Sequence, residues 1–139
     1  MRWTWHPPAW ETPVHRADRV ELLELAGEII AHDGWPESFW ANVGERRLLV
    51  SLHAERVIRL FGELEPGEPA RCHFPPWGLA FYEGEALLFT ASLCFACSNA
   101  YVYDSAGMHL RAFNVASRNA KSLLEILKQH LPRCTEELP

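Results

Sequence analysis

The chain has 139 residues, 48% of them hydrophobic and 22% charged, with a net charge of -5 and a pI of about 5.8. A chain of this size and mix forms one domain, residues 1–139, and buries a core without help from disulfides. The acidic balance excludes the basic footprint of a nucleic-acid binder and the polybasic patch of a membrane-surface protein, and it suits a protein partner with a basic or neutral surface.

The N-terminal stretch MRWTWHPPAWETP has no apolar run of the kind a signal peptide needs, and no window is apolar enough to span a membrane. The expectation is a cytoplasmic protein whose thiols stay reduced. In residues 1–16, Trp3 and Trp5 alternate with Arg2 and Thr4 and share one face of a short edge strand. A first helix is expected from Arg19 to Asp33. Asp18 caps it, Glu21 completes a capping box, and Leu22, Leu23, Ala26, Ile29 and Ile30 form its stripe. Gly34 and Pro36 end it.

The loop that follows, GWPESFWANVGE, carries Trp35, Glu37, Phe39 and Trp40. It is too aromatic for a plain solvent loop. Either the rings pack on the sheet, or rings and carboxylate together form a partner-binding surface. Arg46 to Val50 reads as a short strand. Ser51 then reads as the N-cap of a middle helix with Val57, Ile58, Phe61 and Leu64 at helical spacing. The run Glu65-Pro66-Gly67-Glu68-Pro69 ends that helix.

Two strands flank Glu83-Gly84-Glu85. With Gly84 and Glu85 as the turn, Glu83 pairs with Ala86. Carried along the hairpin, that register sets Cys97 opposite Cys72 and Cys94 opposite Pro75. A two-residue shift sets Cys94 opposite His73 instead. Asn99 to Asp104 is a further strand, Ser105-Ala106-Gly107 a turn, and Met108 to Asn114 the returning strand. Ser117 caps a last helix that buries Ala120, Leu123, Leu124, Leu127 and Leu131, and Pro132 stops it. The tail with Cys134 is expected to fray. The fold class is α+β: a mostly antiparallel sheet with an N-terminal, a middle and a C-terminal helix packed on it.

Chemistry concentrates in Cys72, His73, Cys94 and Cys97, which the hairpin brings together. Residues three apart on a flat strand face opposite ways, so the CxxC needs a bend, which Ser98-Asn99 can supply. Four such groups suffice for a structural zinc site. Structural thiols and a redox pair are the competing readings, and strand-like sequence after Cys97 counts against a thioredoxin-type site. His53, Glu55, Cys94 and Cys97 also match the residue types of the zinc deaminase signature, although Leu93 stands where that signature has Pro. GxSxG, P-loop, GxGxxG and HExxH motifs are absent, and Ser92 reads as a small residue in a strand.

Arg71-Cys72-His73-Phe74-Pro75, then Trp77-Gly78-Leu79, then Ser92-Leu93-Cys94-Phe95-Ala96-Cys97-Ser98-Asn99 resembles an RCHxP…CFxCxN pattern of small bacterial proteins with no known activity. The resemblance covers Leu48 to Leu131. It implies a hairpin, two more strands, a closing helix and the grouping of Cys72 with the CxxC. Proteins of this sort are similar in size to the immunity proteins of bacterial competition systems. The leading expectation is therefore a non-catalytic partner-binding protein, such as an immunity protein that neutralises a toxin, with Trp35, Glu37, Phe39 and Trp40 as its contact residues. The alternatives are a zinc-dependent deaminase-like enzyme and a small protein with a structural zinc at Cys72, His73, Cys94 and Cys97.

Overall fold

The computed structural model describes residues 14–26, 33–68, 72–132 and 134. In chain order these form β1 (Arg19–Leu25), α1 (Glu37–Trp40), β2 (Val43–Leu49), α2 (Ser51–Gly62), β3 (Trp77–Glu83), β4 (Ala86–Cys94), β5 (Asn99–Asp104), β6 (Gly107–Ala112) and α3 (Arg118–His130). The strands make one antiparallel sheet in the order β2-β1-β3-β4-β5-β6. The class is α+β, as expected.

One face of the sheet carries the main core. Val20, Leu22, Leu79, Phe81, Phe89 and Leu93 pack there against α2 and α3. Phe81 and Phe89 are cross-strand partners with rings stacked at 4.4 Å, and Phe61 of α2 closes on Phe81 at 5.1 Å. Such aromatic contacts add to the burial that drives helix and sheet together. The second face is covered in part by α1, where Phe39 joins Leu23, Leu25, Ala80 and Tyr103.

The expected first helix is corrected by β1. Residues 19–25 form a strand between β2 and β3. RVELLEL contains both a helical stripe and a strand pattern. A strand inside the sheet buries Val20 and Leu22 on one face and Leu23 and Leu25 on the other, which a helix with one apolar stripe does not do. Asp18 caps no helix there; its carboxylate accepts from the Gly84 N–H at 3.0 and 3.1 Å. Residues 27–32, where that helix would have finished, lie outside the described residues, as do Trp3 and Trp5.

The later elements follow the sequence more closely. β2 begins at Val43, before Arg46. Ser51 is the first residue of α2 rather than its cap, and its φ is 55°. Glu83 pairs with Ala86 across the Gly84-Glu85 turn, where Gly84 has the positive φ the turn requires. The register then slips by one, so that Tyr82 faces Leu87 while Phe81 faces Phe89. Leu88 is the extra residue of a β-bulge. Ser117 Oγ accepts from the Ala120 N–H at 3.3 Å, as a cap should. α3 buries Ala120, Leu123, Ile126 and Leu127, with Leu124 only half-buried. Cys134 is buried, and its N–H donates to the Leu131 carbonyl at 3.1 Å, so the chain is not frayed at that point.

A buried polar cluster under a disulfide

The bulge at Leu88 sends Thr90, Ser92 and Cys94 to the second face of the sheet. Their partners on β5 are Tyr103, Tyr101 and Asn99, whose side chains leave by the same face. Over this polar corner runs the segment from Cys72 to Pro76, which carries His73. Two links hold down its Cys72 end. Cys72 and Cys97 form a disulfide with Cα atoms 5.7 Å apart, and the Asn99 amide nitrogen donates to the Cys72 carbonyl at 2.9 Å.

His73 is 2% exposed and bonded at both ring nitrogens. Nδ1 lies 2.6 Å from Asn99 Oδ1, and Nε2 lies 2.7 Å from Ser92 Oγ. The Asn99 NH2 already serves Cys72, so its oxygen is the end that faces His73. Nδ1 therefore carries the proton and donates, and Nε2 accepts from the Ser92 hydroxyl. Ser92 Oγ in turn accepts from Tyr103 OH at 3.2 Å. The Tyr101 ring meets the imidazole edge-on at 4.3 Å. Burial pushes His73 down to about 4, only partly opposed by its bond to Asn99. Burial also pushes Tyr103 up to about 12 against the Ser92 hydrogen bond. The chain from Asn99 to Tyr103 is thus uncharged at neutral pH.

Serine, histidine and asparagine stand here in the order of nucleophile, base and orienting group. Nucleophilic attack needs a substrate atom against Oγ, and both Ser92 and Thr90 have no exposed surface. In this conformation the arrangement acts as a clamp on the Cys72–Pro76 segment. Sequence reading missed it because the face that Ser92 takes depends on the bulge.

Of the expected metal residues, two meet each other covalently and not as a set of four ligands. Cys72 and Cys97 are bonded to each other, Cys94 is buried with its thiol intact, and His73 sits beside Asn99. Reduced thiols are thus found for Cys94 and Cys134 and not for the other two. Among the described residues, no group of three or more His, Cys, Asp and Glu stands ready to hold a metal ion. The deaminase set is not assembled. His53 and Glu55 are exposed on α2, and Glu55 lines a cleft of about 760 Å³ between α2 and residues 14–18. Cys94 points to the other face of the sheet.

The aromatic loop folds inward. Phe39 is fully buried, so it offers no surface to a partner. Trp35 is half-buried and its indole N–H donates to Thr90 Oγ1 at 2.9 Å. Trp40 is half-buried beneath the Arg46 guanidinium, 4.3 Å from ring centre to Cζ, and Glu37 is exposed. Arg46 is itself held by Glu21, with Nε and a terminal nitrogen at 2.8 and 2.6 Å. Burial pushes the Glu21 carboxyl up, but hydrogen bonds from Arg46 and Tyr82 and the charge of Arg46 outweigh it and hold the group below its usual range. Next to this pair, Leu48, Val50 and Leu52 are 54%, 47% and 77% exposed.

No family model matches the chain, and comparison with curated proteins and with solved structures finds no match. Among the described residues, no helix is long and apolar enough to cross a membrane.

Proposed function

We propose that this protein binds another protein without catalysing a reaction, in the manner of an immunity protein that neutralises a toxin. The observation that carries the reading is the exposed apolar set of Leu48 near the end of the edge strand β2, Val50 in the link and Leu52 in the first turn of α2. Exposed large apolar side chains beside an open sheet edge are a feature that partner surfaces use and that isolated proteins tend to blunt. Beside the run lie the remaining open edge of Trp40 and the stacked Arg46. Trp and Arg are residue types that anchor interfaces. The net charge of -5 favours approach to a basic partner. Of the contact residues expected from the sequence, Glu37 and Trp40 remain suited to this role, and the run from Leu48 to Leu52 joins them.

The test is affinity capture with the wild type and with a Leu48→Asp, Leu52→Asp variant as baits. Both positions are exposed, so the variant is expected to melt close to the wild type. A captured protein that binds the wild type, binds the variant more than about tenfold more weakly, and loses its own activity on binding would support the reading. Equal binding by both baits would remove this surface. A captured protein whose activity is unchanged would remove the immunity role.

A further inference from the structure

The two halves of the Cys72–Cys97 disulfide sit in unequal surroundings. Cys97 is 1% exposed, whereas Cys72 is only half-buried. Cys97 stands in a turn that is fixed on both sides. The Ser98 N–H donates to the Phe95 carbonyl at 3.2 Å, and the Phe113 N–H donates to the Ser98 carbonyl at 3.0 Å. Cys72 lies in a segment that runs over the sheet without joining a strand. Close by in the chain, Phe74 is 38% exposed, and Ala96 next to Cys97 is exposed as well. Neither brings a charge that would repel an anion approaching the disulfide.

Thiol–disulfide exchange is an in-line displacement, in which the incoming thiolate approaches one sulfur from the side opposite the other. Approach to Cys72 comes from the open surface, with Cys97 behind it. Approach to Cys97 would have to come through the packed interior. Access therefore selects Cys72 as the sulfur attacked and Cys97 as the one that leaves.

We propose that this disulfide is a reversible exchange site for a dithiol reductant, which enters at Cys72 alone. One thiol of the reductant loses its proton and bonds to Cys72 Sγ, and the electron pair of the Cys72–Cys97 bond leaves on Cys97 Sγ. Burial disfavours a thiolate there, so Cys97 takes up a proton from solvent. The reductant's second thiol then loses its proton and attacks its own sulfur in the mixed disulfide. Cys72 leaves as a thiolate and is protonated. The reductant has given up two electrons and two protons and become a disulfide, and Cys72 and Cys97 have become thiols.

Reversibility follows from what remains. The Asn99 amide nitrogen still donates to the Cys72 carbonyl, and His73 still bonds Asn99 and Ser92. At the far end of the segment, the Leu25 N–H donates to the Pro76 carbonyl at 2.9 Å. None of these bonds involves sulfur. They return Cys72 to its place with its Cα 5.7 Å from that of Cys97, within the span of a disulfide. The reduced chain thus keeps its fold and offers an accessible thiol at Cys72.

The test uses the wild type purified in air. The probe, in excess, is a CxxC disulfide reductase whose second cysteine is replaced by serine, so that the mixed disulfide is trapped. Acid quenching, alkylation under denaturant and peptide mass spectrometry locate the adduct. It is expected on Cys72 at more than about ten times its level on Cys97, a ratio set by access to the two sulfurs. Reduction by the unmodified reductase, followed by oxidised glutathione, should restore the Cys72–Cys97 pair and leave Cys94 and Cys134 as thiols. Comparable adducts on both sulfurs, or an adduct chiefly on Cys97, would overturn the one-sided entry. Reaction only after denaturant is added would show a purely structural disulfide and overturn the exchange site, as would four alkylatable thiols in the starting protein. Re-formation with a different pairing would overturn the reversibility.

Discussion

Asn99 sets the tautomer of His73. Its oxygen lies 2.6 Å from Nδ1, and its amide nitrogen is committed to the Cys72 carbonyl, so it cannot be turned around without losing a bond. Asn99→Ala leaves the buried His73 Nδ1 and the partly buried Cys72 carbonyl without this partner. The expected cost is about 1–3 kcal/mol for each group that finds no water, read from urea unfolding. Asn99→Asp should act differently. A carboxylate at this distance favours the imidazolium, so the His73 pKa should rise from about 4 toward or above its ordinary value. Proton NMR of the ring across pH reads this directly. An unmoved titration would mean that the Asn99 bond does not control the ring.

The same histidine predicts a pH window of instability. The unfolded chain protonates His73 near 6.5, and the folded chain only near 4. Between those values the unfolded state binds more protons. Stability is therefore full above about 6.5, falls as the pH drops toward 4, and loses no more from this group below that. The total is about 3 kcal/mol. Urea melts of wild type and His73→Gln from pH 7 to 4 isolate the effect, since other groups contribute to both proteins alike. Parallel curves would refute it.

Arg46 and Arg47 neighbour each other on β2 and should differ in weight. Arg46 serves Glu21, whose side chain is 11% exposed, while Arg47 pairs with Glu45 at the surface. Arg46→Ala should cost about 1–2 kcal/mol and raise the Glu21 pKa. The Arg46 side chain is itself half exposed, which keeps the loss at the lower end for a charged hydrogen bond. Arg47→Ala should cost about 0–1 kcal/mol. Equal losses would show that burial of Glu21 does not matter.

Packing on α3 gives a cleaner contrast. Leu123 is fully buried and Leu52 on α2 is 77% exposed. Leu123→Ala should cost about 2–5 kcal/mol, and Leu52→Ala should stay within about 0.5 kcal/mol. Leu124, half-buried, should fall between them. A small loss at Leu123 would contradict the placement of α3 over the sheet.

These features were legible in the sequence to the degree that they are local. The Gly84-Glu85 turn, the Ser117 cap and the stripe of α2 each depend on residues within a few positions of one another. The meeting of Cys72 with Cys97 was expected from the same hairpin, although the bulge at Leu88 breaks the register that led to it and the ladder ends at Trp77 and Leu93, so the disulfide forms beyond the strands. β1 was not. A strand buried on both faces has no alternation to display, and Leu22-Leu23 followed by Ala26 satisfies a helix equally well. The His73–Ser92 pair was hidden for another reason. Its register depends on whether a residue is left over along the hairpin, and nothing in Leu87-Leu88-Phe89 marks which one.

That leftover residue gives the hairpin a reading frame. Side chains on a strand alternate, so every residue of β4 beyond Leu88 owes its direction to a single extra position. Were Leu88 to take the place opposite Phe81 in an unbroken ladder, Phe89, Ala91 and Leu93 would turn out from under the helices and Thr90, Ser92 and Cys94 would turn toward them. The sulfur of Cys94 and the hydroxyl that His73 holds would then lie on the wrong side of the sheet. β4 should therefore accept the loss of Leu88, which only closes the bulge, more readily than the loss of a residue between Phe89 and Leu93, which shifts the phase of everything downstream.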